Sequence, residues 1–232
     1  MKLRKGSCVL ICVFLIGACG ISFAAQGRPA WTIETILGQL DSEARSFHSL
    51  TADVEWTKVT VVVNDRSTQK GQLFVRGDKM RIDFTEPAAK TILRSGDTVW
   101  VYTPKLQRAE EYNLGKHREE ADQFLRLGFG TSGKALEKGY LVTVLGEPVL
   151  DGKKTVQLEL TPKSLEVRNY YSKVQLWIDE ASWLPLQQEI FETGTQDYSI
   201  IHYTNLIRNP NIRETHFKPD WPKGTQKIKP QD

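Results

Sequence analysis

The chain has 232 residues, with 31 lysines and arginines against 28 aspartates and glutamates. This length suits one domain. Three of the basic residues stand among the first five positions, in a segment that we expect to be removed, and the rest of the chain is formally neutral. A neutral chain offers no electrostatic attraction to nucleic acid, so we expect no nucleic-acid partner.

The N-terminus has the pattern of an export signal. Basic residues precede an apolar run from Cys8 to Ala24, which predicts a signal peptide over residues 1–24, cleaved before Ala25, and export to the periplasm. A second processing route stays open, because residues 15–19 (LIGAC) resemble a bacterial lipobox. On that route the signal is residues 1–18, and lipidated Cys19 anchors the chain to a membrane that faces the periplasm. All three cysteines lie in this segment, so we expect no disulfide in the mature domain.

The mature chain begins with a helical pattern and continues with strands. Apolar residues recur at helical spacing from Ile33 to Phe47, which predicts an amphipathic helix. From Leu50 to Val63 the period changes to two. Residues 71–104 then give four short strands separated by Gly-Asp and Pro turns, which is typical of an antiparallel meander with one buried face, and residues 108–114 give a further strand.

Residues 116–136 depart from strand behaviour. A charged stretch is followed by closely spaced large apolar residues and then by Gly128, Gly130 and Gly133, which predicts a short amphipathic helix with hinge glycines at its exit. The same glycines match phosphate-loop patterns on paper. A phosphate loop must join a strand to a long helix, whereas Gly139 ends any helix here quickly, so we expect no nucleotide.

Strands recur at regular spacing in the last third of the chain, over residues 140–145, 155–160, 171–178, 185–192, 196–206 and 215–217. The predicted fold is mainly β with helices (α+β). It is an unclosed, strongly curved antiparallel β-barrel of about eleven strands, covered by a long N-terminal helix and a short lid helix. We expect one domain over residues 31–221 and a flexible tail over residues 222–232.

Catalytic and metal-binding patterns are missing from the sequence. The four histidines are scattered, there is no nucleophile elbow, and the paired carboxylates stand at turns or on polar faces. We therefore expect a protein that is not an enzyme and that holds no metal and no cofactor.

The meander carries a resemblance to a known family. Ser95-Gly96-Asp97, Trp100, Tyr102, Pro104 and Gln107 resemble a motif of the periplasmic lipoprotein carrier proteins, the LolA family. The resemblance implies an apolar cavity beneath movable helices that takes up the acyl chains of lipoproteins or lipids. It also implies an inner-membrane ABC-type exporter and an outer-membrane receptor as partners, and we expect a monomer. The alternative is a membrane-tethered LolB-like receptor, or a lipid-sensing regulatory lipoprotein of the same fold.

The predicted cavity residues come from the first helix, the sheet and the lid. They are Ile36, Leu40, Trp56, Phe74, Phe84, Trp100, Tyr102, Phe124, Leu125, Leu127, Phe129 and Trp177. An ordinary packed core stays open as the other interpretation, because aromatic stripes usually pack without a gap.

Lid control is the last predicted role. In the family, an arginine just after the second strand ties the lid to the barrel. Gly77 occupies that position here, so Arg76 and Arg81 are the candidates for this role. A shift of one residue reverses the face to which a side chain points, which puts this control in question.

Overall fold

One large sheet organises the protein. The computed structural model describes residues 31–115 and 127–230, and thirteen strands within these ranges form the sheet. The strands are β1 (Ser49–Thr60), β2 (Asp65–Arg76), β3 (Lys79–Glu86), β4 (Lys90–Ser95), β5 (Thr98–Thr103), β6 (Arg108–Asn113), β7 (Tyr140–Gly146), β8 (Val149–Leu150), β9 (Lys153–Pro162), β10 (Tyr171–Asp179), β11 (Pro185–Glu192), β12 (Tyr198–Arg208) and β13 (Gln226–Ile228).

The strand order leaves the sheet open. It runs β13-β6-β5-β4-β3-β2-β1-β12-β11-β10-β9-β7, with β8 paired to β9. All pairs are antiparallel except β13 with β6. The two halves, β1–β6 and β7–β12, meet at the β1–β12 pair, and the ends of the path do not pair with each other. The predicted fold class, a mainly β, unclosed, curved sheet with few helices, is confirmed.

The described helices are α1 (Ile33–Ser46), α2 (Gly133–Gly139) and α3 (Leu165–Arg168). Thr32 caps α1 by accepting a hydrogen bond from the Thr35 amide, and the Thr35 side chain accepts one from the Thr32 amide. Ile36 and Leu40 are buried on one side of α1, as the periodicity predicts. None of the helices within the described ranges is long and apolar enough to cross a bilayer.

Alternation along the strands gives the sheet two different faces. In β3, Met80, Ile82 and Phe84 are buried, while Arg81 and Asp83 between them point the other way. We call the side of Met80, Ile82 and Phe84 the inner face, because these residues belong to the main hydrophobic core together with α1. The opposite side is the outer face.

The outer face of β2–β5 has a small core of its own. The chain after β12 folds across it and contributes Ile212 and Phe217, which pack with Leu93 of β4. The predicted strand at residues 215–217 is wrong, because Glu214–Phe217 form a 3-10 turn that brings the Phe217 side chain into this core.

The C-terminal tail is ordered in this structure. The ring of Trp221 stacks on that of Tyr102, with centroids 4.7 Å apart. Gln226–Ile228 then add a parallel strand, β13, to the edge strand β6. The prediction of a flexible tail is therefore wrong for residues 222–230. The unpaired edge of β6 supplies backbone partners that composition alone does not reveal.

Candidate functional site

An apolar cavity of about 90 Å³ lies on the inner face, where the two halves of the sheet meet. Strands β1–β4 line it from one half, β11 and β12 from the other, and the segment before α2 closes it. The lining residues are Val54, Trp56, Leu73, Met80, Ile82, Ile92, Phe129, Gln188, Ile201 and Tyr203. Eight of the ten side chains are hydrocarbon or thioether, or an aromatic ring without a hydroxyl, so the cavity favours an apolar occupant.

Gln188 fixes the segment that closes the cavity. Its side chain is only 5 % exposed, and its Nε2 donates a hydrogen bond of 2.8 Å to the carbonyl of Leu127. Gln188 stands on β11 beside Ile201 of β12, so this bond ties residues 127–130 to the sheet. A polar side chain in an apolar wall needs such a partner, because an unpaired buried amide costs about 1–3 kcal/mol.

Tyr203 is the second polar side chain of the cavity. The edge of its ring meets that of Phe129, with centroids 5.0 Å apart. Burial raises the pKa of Tyr203 far above its usual value, so the phenol is neutral. Tyr203 also borders a second space, a cleft of about 360 Å³ with Leu184, Leu186 and Leu206 among its lining residues. The two spaces therefore share one side chain as part of their walls.

Glycines allow the closing segment to approach its neighbours. A Cβ atom on Gly130 would lie 2.3 Å from a carbon of the Phe47 ring, and one on Gly133 would lie 2.3 Å from the carbonyl oxygen of Leu37. Both neighbours belong to α1 or to the residue that ends it. In this structure the glycines serve close packing of the segment against α1, which differs from the hinge role that the sequence predicts.

Six of the predicted cavity residues lie on the inner side of the sheet. Ile36, Leu40, Phe84, Leu127 and Phe129 are buried members of the main core, and Trp56 packs against it. Among these six, Trp56 and Phe129 line the cavity itself. Phe124 and Leu125 lie outside the described residues.

Four predicted cavity residues lie on the wrong face. Phe74 and Trp100 pack in the outer core, where Tyr102 stacks on Trp221. Trp177 alternates with inner-face residues of β10 and therefore points outward. These four placements correct the prediction. The residues on both sides of Phe74, Trp100 and Trp177 are also apolar, so alternation alone did not determine the face of these three side chains.

Both arginines predicted to control the lid bind the C-terminal segment instead. Arg76 donates a hydrogen bond of 2.7 Å to the carbonyl of Ile212. Arg81 pairs with Asp83 at 2.7 Å and donates to the carbonyl of His216 at 3.1 Å. Because these contacts lie on the outer face, the two side chains anchor the chain after β12, which corrects their predicted role.

The inner face does carry an arginine, which the sequence-based prediction left out. Arg94 stands opposite Met80 in the β3–β4 register and is 1 % exposed. Its position after Leu93 looks like the polar end of an edge strand. The alternation along β4 could have identified Arg94 from the sequence, because residues two positions apart, such as Ile92 and Arg94, point to the same face. No group of three or more potential metal ligands occurs within residues 31–115 and 127–230.

Comparison with known proteins gives a family without an assigned activity. A family model described only as an uncharacterized protein matches residues 76–216, more than half of the chain. The chain belongs to this family. An uncharacterized protein of Methanocaldococcus jannaschii is 24% identical over 218 residues, which are 94% of this chain and 59% of that protein. The chain thus spans less than two thirds of that relative's length, and membership of the LolA family remains a resemblance.

Among the similar solved structures, one supports the fold. An uncharacterized conserved protein from Thermus thermophilus has a TM-score of 0.56 at 12% identity and covers 86% of this chain and 100% of its own. A LolA superfamily protein from Nitrosomonas europaea has a TM-score of 0.43 at 17% identity, and the match covers 83% of this chain and 100% of that protein. The Mycobacterium tuberculosis lipoprotein LppX has a TM-score of 0.47 at 14% identity, and the match covers 78% of this chain and 99% of LppX. The first of these scores indicates a shared fold.

Proposed function

We propose that this protein is a non-enzymatic periplasmic carrier that binds the acyl chains of lipoproteins in the inner-face cavity and shuttles them from the inner to the outer membrane. The observation that carries the proposal is the apolar cavity of about 90 Å³ under Phe129. By the LolA resemblance, an inner-membrane ABC-type exporter supplies the cargo and an outer-membrane receptor takes it.

Burial of hydrocarbon supplies the energy for such transfer. Each CH₂ group removed from water contributes roughly 0.8 kcal/mol, and no bond needs to be made or broken. A carrier gains from a wall without polar groups, because the same chain is then released to any site that buries it better. The cavity comes close to such a wall, because two of its ten lining residues, Gln188 and Tyr203, carry an amide or a hydroxyl.

A long chain needs more room than the cavity gives. The segment at Leu127 and Phe129 is the part of the wall that does not belong to the sheet, and we expect it to move when a ligand enters. Opening would break the Gln188 hydrogen bond to the Leu127 carbonyl and separate Phe129 from Tyr203. The acyl chain would then occupy the space that Phe129 leaves, so the apolar contacts are exchanged rather than lost.

The test is saturable binding of a fluorescent acyl chain to the purified mature protein, with and without the change Leu127→Glu. Leu127 is 1 % exposed, so a carboxylate there has to be buried at high cost or has to displace the segment. We expect the affinity to fall at least about tenfold, which corresponds to about 1.4 kcal/mol.

Leu141→Glu is the matched control, because Leu141 on β7 is 63 % exposed. We expect its acyl affinity to equal that of the wild type, and circular dichroism shows whether each variant is folded. Absence of saturable binding by the wild type, or equal losses in the two variants, would contradict the proposal.

The second candidate is a membrane-tethered receptor of the same fold. The lipobox-like residues 15–19 favour it, because a lipidated Cys19 would hold the domain at a membrane. Mass spectrometry of the mature protein from its native host separates the two. An N-terminal Ala25 is expected for the shuttle, and an acylated Cys19 is expected for the tethered receptor.

A further inference from the structure

Lys90 begins β4 on the inner face of the sheet. It stands opposite Phe84 in the β3–β4 register, just as Ile92 stands opposite Ile82. Residues that face each other across two antiparallel strands point to the same side. Phe84 and Ile82 belong to the main core, so Lys90 is on the side of the cavity.

Two ring contacts connect the ammonium group of Lys90 to the wall of that cavity. The ammonium is 4.8 Å from the centroid of the Phe84 ring, and the Phe84 ring is 6.2 Å from that of Trp56, which lines the cavity. Ile92, two residues further along β4, is also in the lining. At 3.3 Å per residue, the Cα atoms of Lys90 and Ile92 are about 7 Å apart.

Lys90 has no carboxylate partner within the part of the chain that the structure describes. The side chain is half-buried, and burial lowers the pKa of its ammonium group with no acidic neighbour to raise it. Other lysines of the sheet form ion pairs with glutamates: Lys58 with Glu192 at 2.9 Å, Lys70 with Glu55 at 2.7 Å and Lys173 with Glu159 at 2.7 Å.

An aromatic ring does not replace a counterion. The face of Phe84 attracts the ammonium but carries no net charge, so no carboxylate of residues 31–115 or 127–230 neutralises this positive charge. An anion placed there would form a charge-assisted hydrogen bond in a site that is already partly shielded from water. The same anion, if it ends a hydrocarbon chain, would lie within two strand residues of the cavity wall.

We propose that Lys90 binds the anionic head group, a carboxylate or a phosphate, of a single-chain amphiphile whose hydrocarbon tail enters the inner-face cavity past Trp56. This inference rests on the proposed function, and it adds anionic single-chain amphiphiles to the ligands that the cavity binds. A neutral acyl chain would occupy the same cavity with lower affinity, because it leaves the charge of Lys90 uncompensated.

The experiment compares two ligands that differ only at the head. Dodecanoate and dodecanol compete with the neutral fluorophore N-phenylnaphthylamine at neutral pH, on the full mature chain. We expect dodecanoate to bind about tenfold tighter than dodecanol to the wild type, the effect of one hydrogen bond to a charged group. Lys90→Met is expected to bring the ratio of the two affinities close to one, and Lys90→Arg is expected to keep it near ten.

Lys105→Met is the control variant, because Lys105 is an exposed lysine in the 3-10 turn after β5, and its ratio is expected to equal that of the wild type. Inorganic phosphate, added as a competitor without a chain, distinguishes an amphiphile site from a site for the free anion. Strong competition by phosphate overturns the proposal.

The outcomes distinguish failure of the head-group inference from failure of the carrier proposal. Equal binding of dodecanoate and dodecanol by the wild type, or an unchanged ratio in Lys90→Met, overturns the head-group inference and leaves the carrier proposal standing. If neither ligand displaces the fluorophore, both fail. Circular dichroism and thermal melting of each variant show that the comparison is made on folded protein.

Discussion

Two phenylalanines on opposite faces of the sheet give a direct test of which face binds ligands. Phe129 is 2 % exposed and lines the inner cavity, and Phe217 is 1 % exposed and belongs to the outer core. Truncation of either to alanine removes a buried ring of the same size. The two changes differ in whether the space created joins an existing cavity.

The expected losses of stability are similar. Phe→Ala changes in cores cost about 3–5 kcal/mol, and the cost grows with the cavity that remains. One side of Phe129 already faces empty space and has fewer contacts to lose, so we expect about 3 kcal/mol for Phe129→Ala. Phe217 does not line this cavity and packs in the outer core, so about 4 kcal/mol is expected for Phe217→Ala.

Ligand binding is expected to separate the two variants. The space left by Phe129→Ala enlarges the 90 Å³ cavity, so N-phenylnaphthylamine should bind tighter than to the wild type. At a hundred times its dissociation constant, a ligand stabilises the folded state by about 2.7 kcal/mol, which recovers most of the loss. Phe217→Ala should gain no more than the wild type gains.

The assay is urea unfolding followed by circular dichroism, with and without the fluorophore at a fixed excess. The change in midpoint is converted to free energy with the measured slope, which also shows whether each variant unfolds in two states. Equal gains in the two variants, or no gain in Phe129→Ala, would refute the claim that the inner face is the binding face.

Two further predictions concern packing and pH. Gly130→Ala should cost about 2–4 kcal/mol in urea unfolding, because the backbone has a φ of 69° and the new Cβ meets Phe47. Gly77→Ala, at a φ of 59° in open space, should cost about 1 kcal/mol, and equal costs would contradict close packing at Gly130. Burial, together with the charge of Arg81, lowers the pKa of His216, so the unfolded chain binds this proton more tightly. The melting temperature should therefore fall from about pH 7 to about pH 5, and less so in His216→Gln, whereas equal falls would remove His216 as the cause.

The sequence predicts the elements well where one periodicity dominates. The helical spacing from Ile33 to Phe47 gives α1 to within one residue, and the Gly-Asp turns give the β2–β3 and β4–β5 connections. The first half of β2, from Asp65, was missed because its residues are polar on both faces. Those residues pair with β1 beyond the core, where no alternation is required.

The outer core could not be predicted, for a physical reason. Residues 209–221 contain few apolar side chains, and Ile212, Phe217 and Trp221 stand at irregular spacing without a helical or strand period. Arg76 and Arg81 hold this segment on the sheet, because they donate hydrogen bonds to its backbone carbonyls. Contacts of side chains with a distant, irregular backbone leave no pattern in the sequence.

The outer face also holds aromatic side chains that were predicted to line the cavity. These four residues of the sheet are Phe74, Trp100, Tyr102 and Trp177. Half of the ten side chains around the inner cavity are aliphatic, come from strands of both halves and do not fill the space where the halves meet. They are Val54, Leu73, Ile82, Ile92 and Ile201.

Hydrophobic contacts with such a wall are non-directional, and the wall offers few hydrogen bonds. It therefore discriminates poorly between one hydrocarbon and another. Selectivity has to come from what stands at its edge. Within the described residues, the ammonium of Lys90 contacts the Phe84 ring and has no carboxylate partner, and it is the group that we propose for this role. A protein that buries the tail without preference and recognises the head by one charge would carry a class of amphiphiles rather than a single compound.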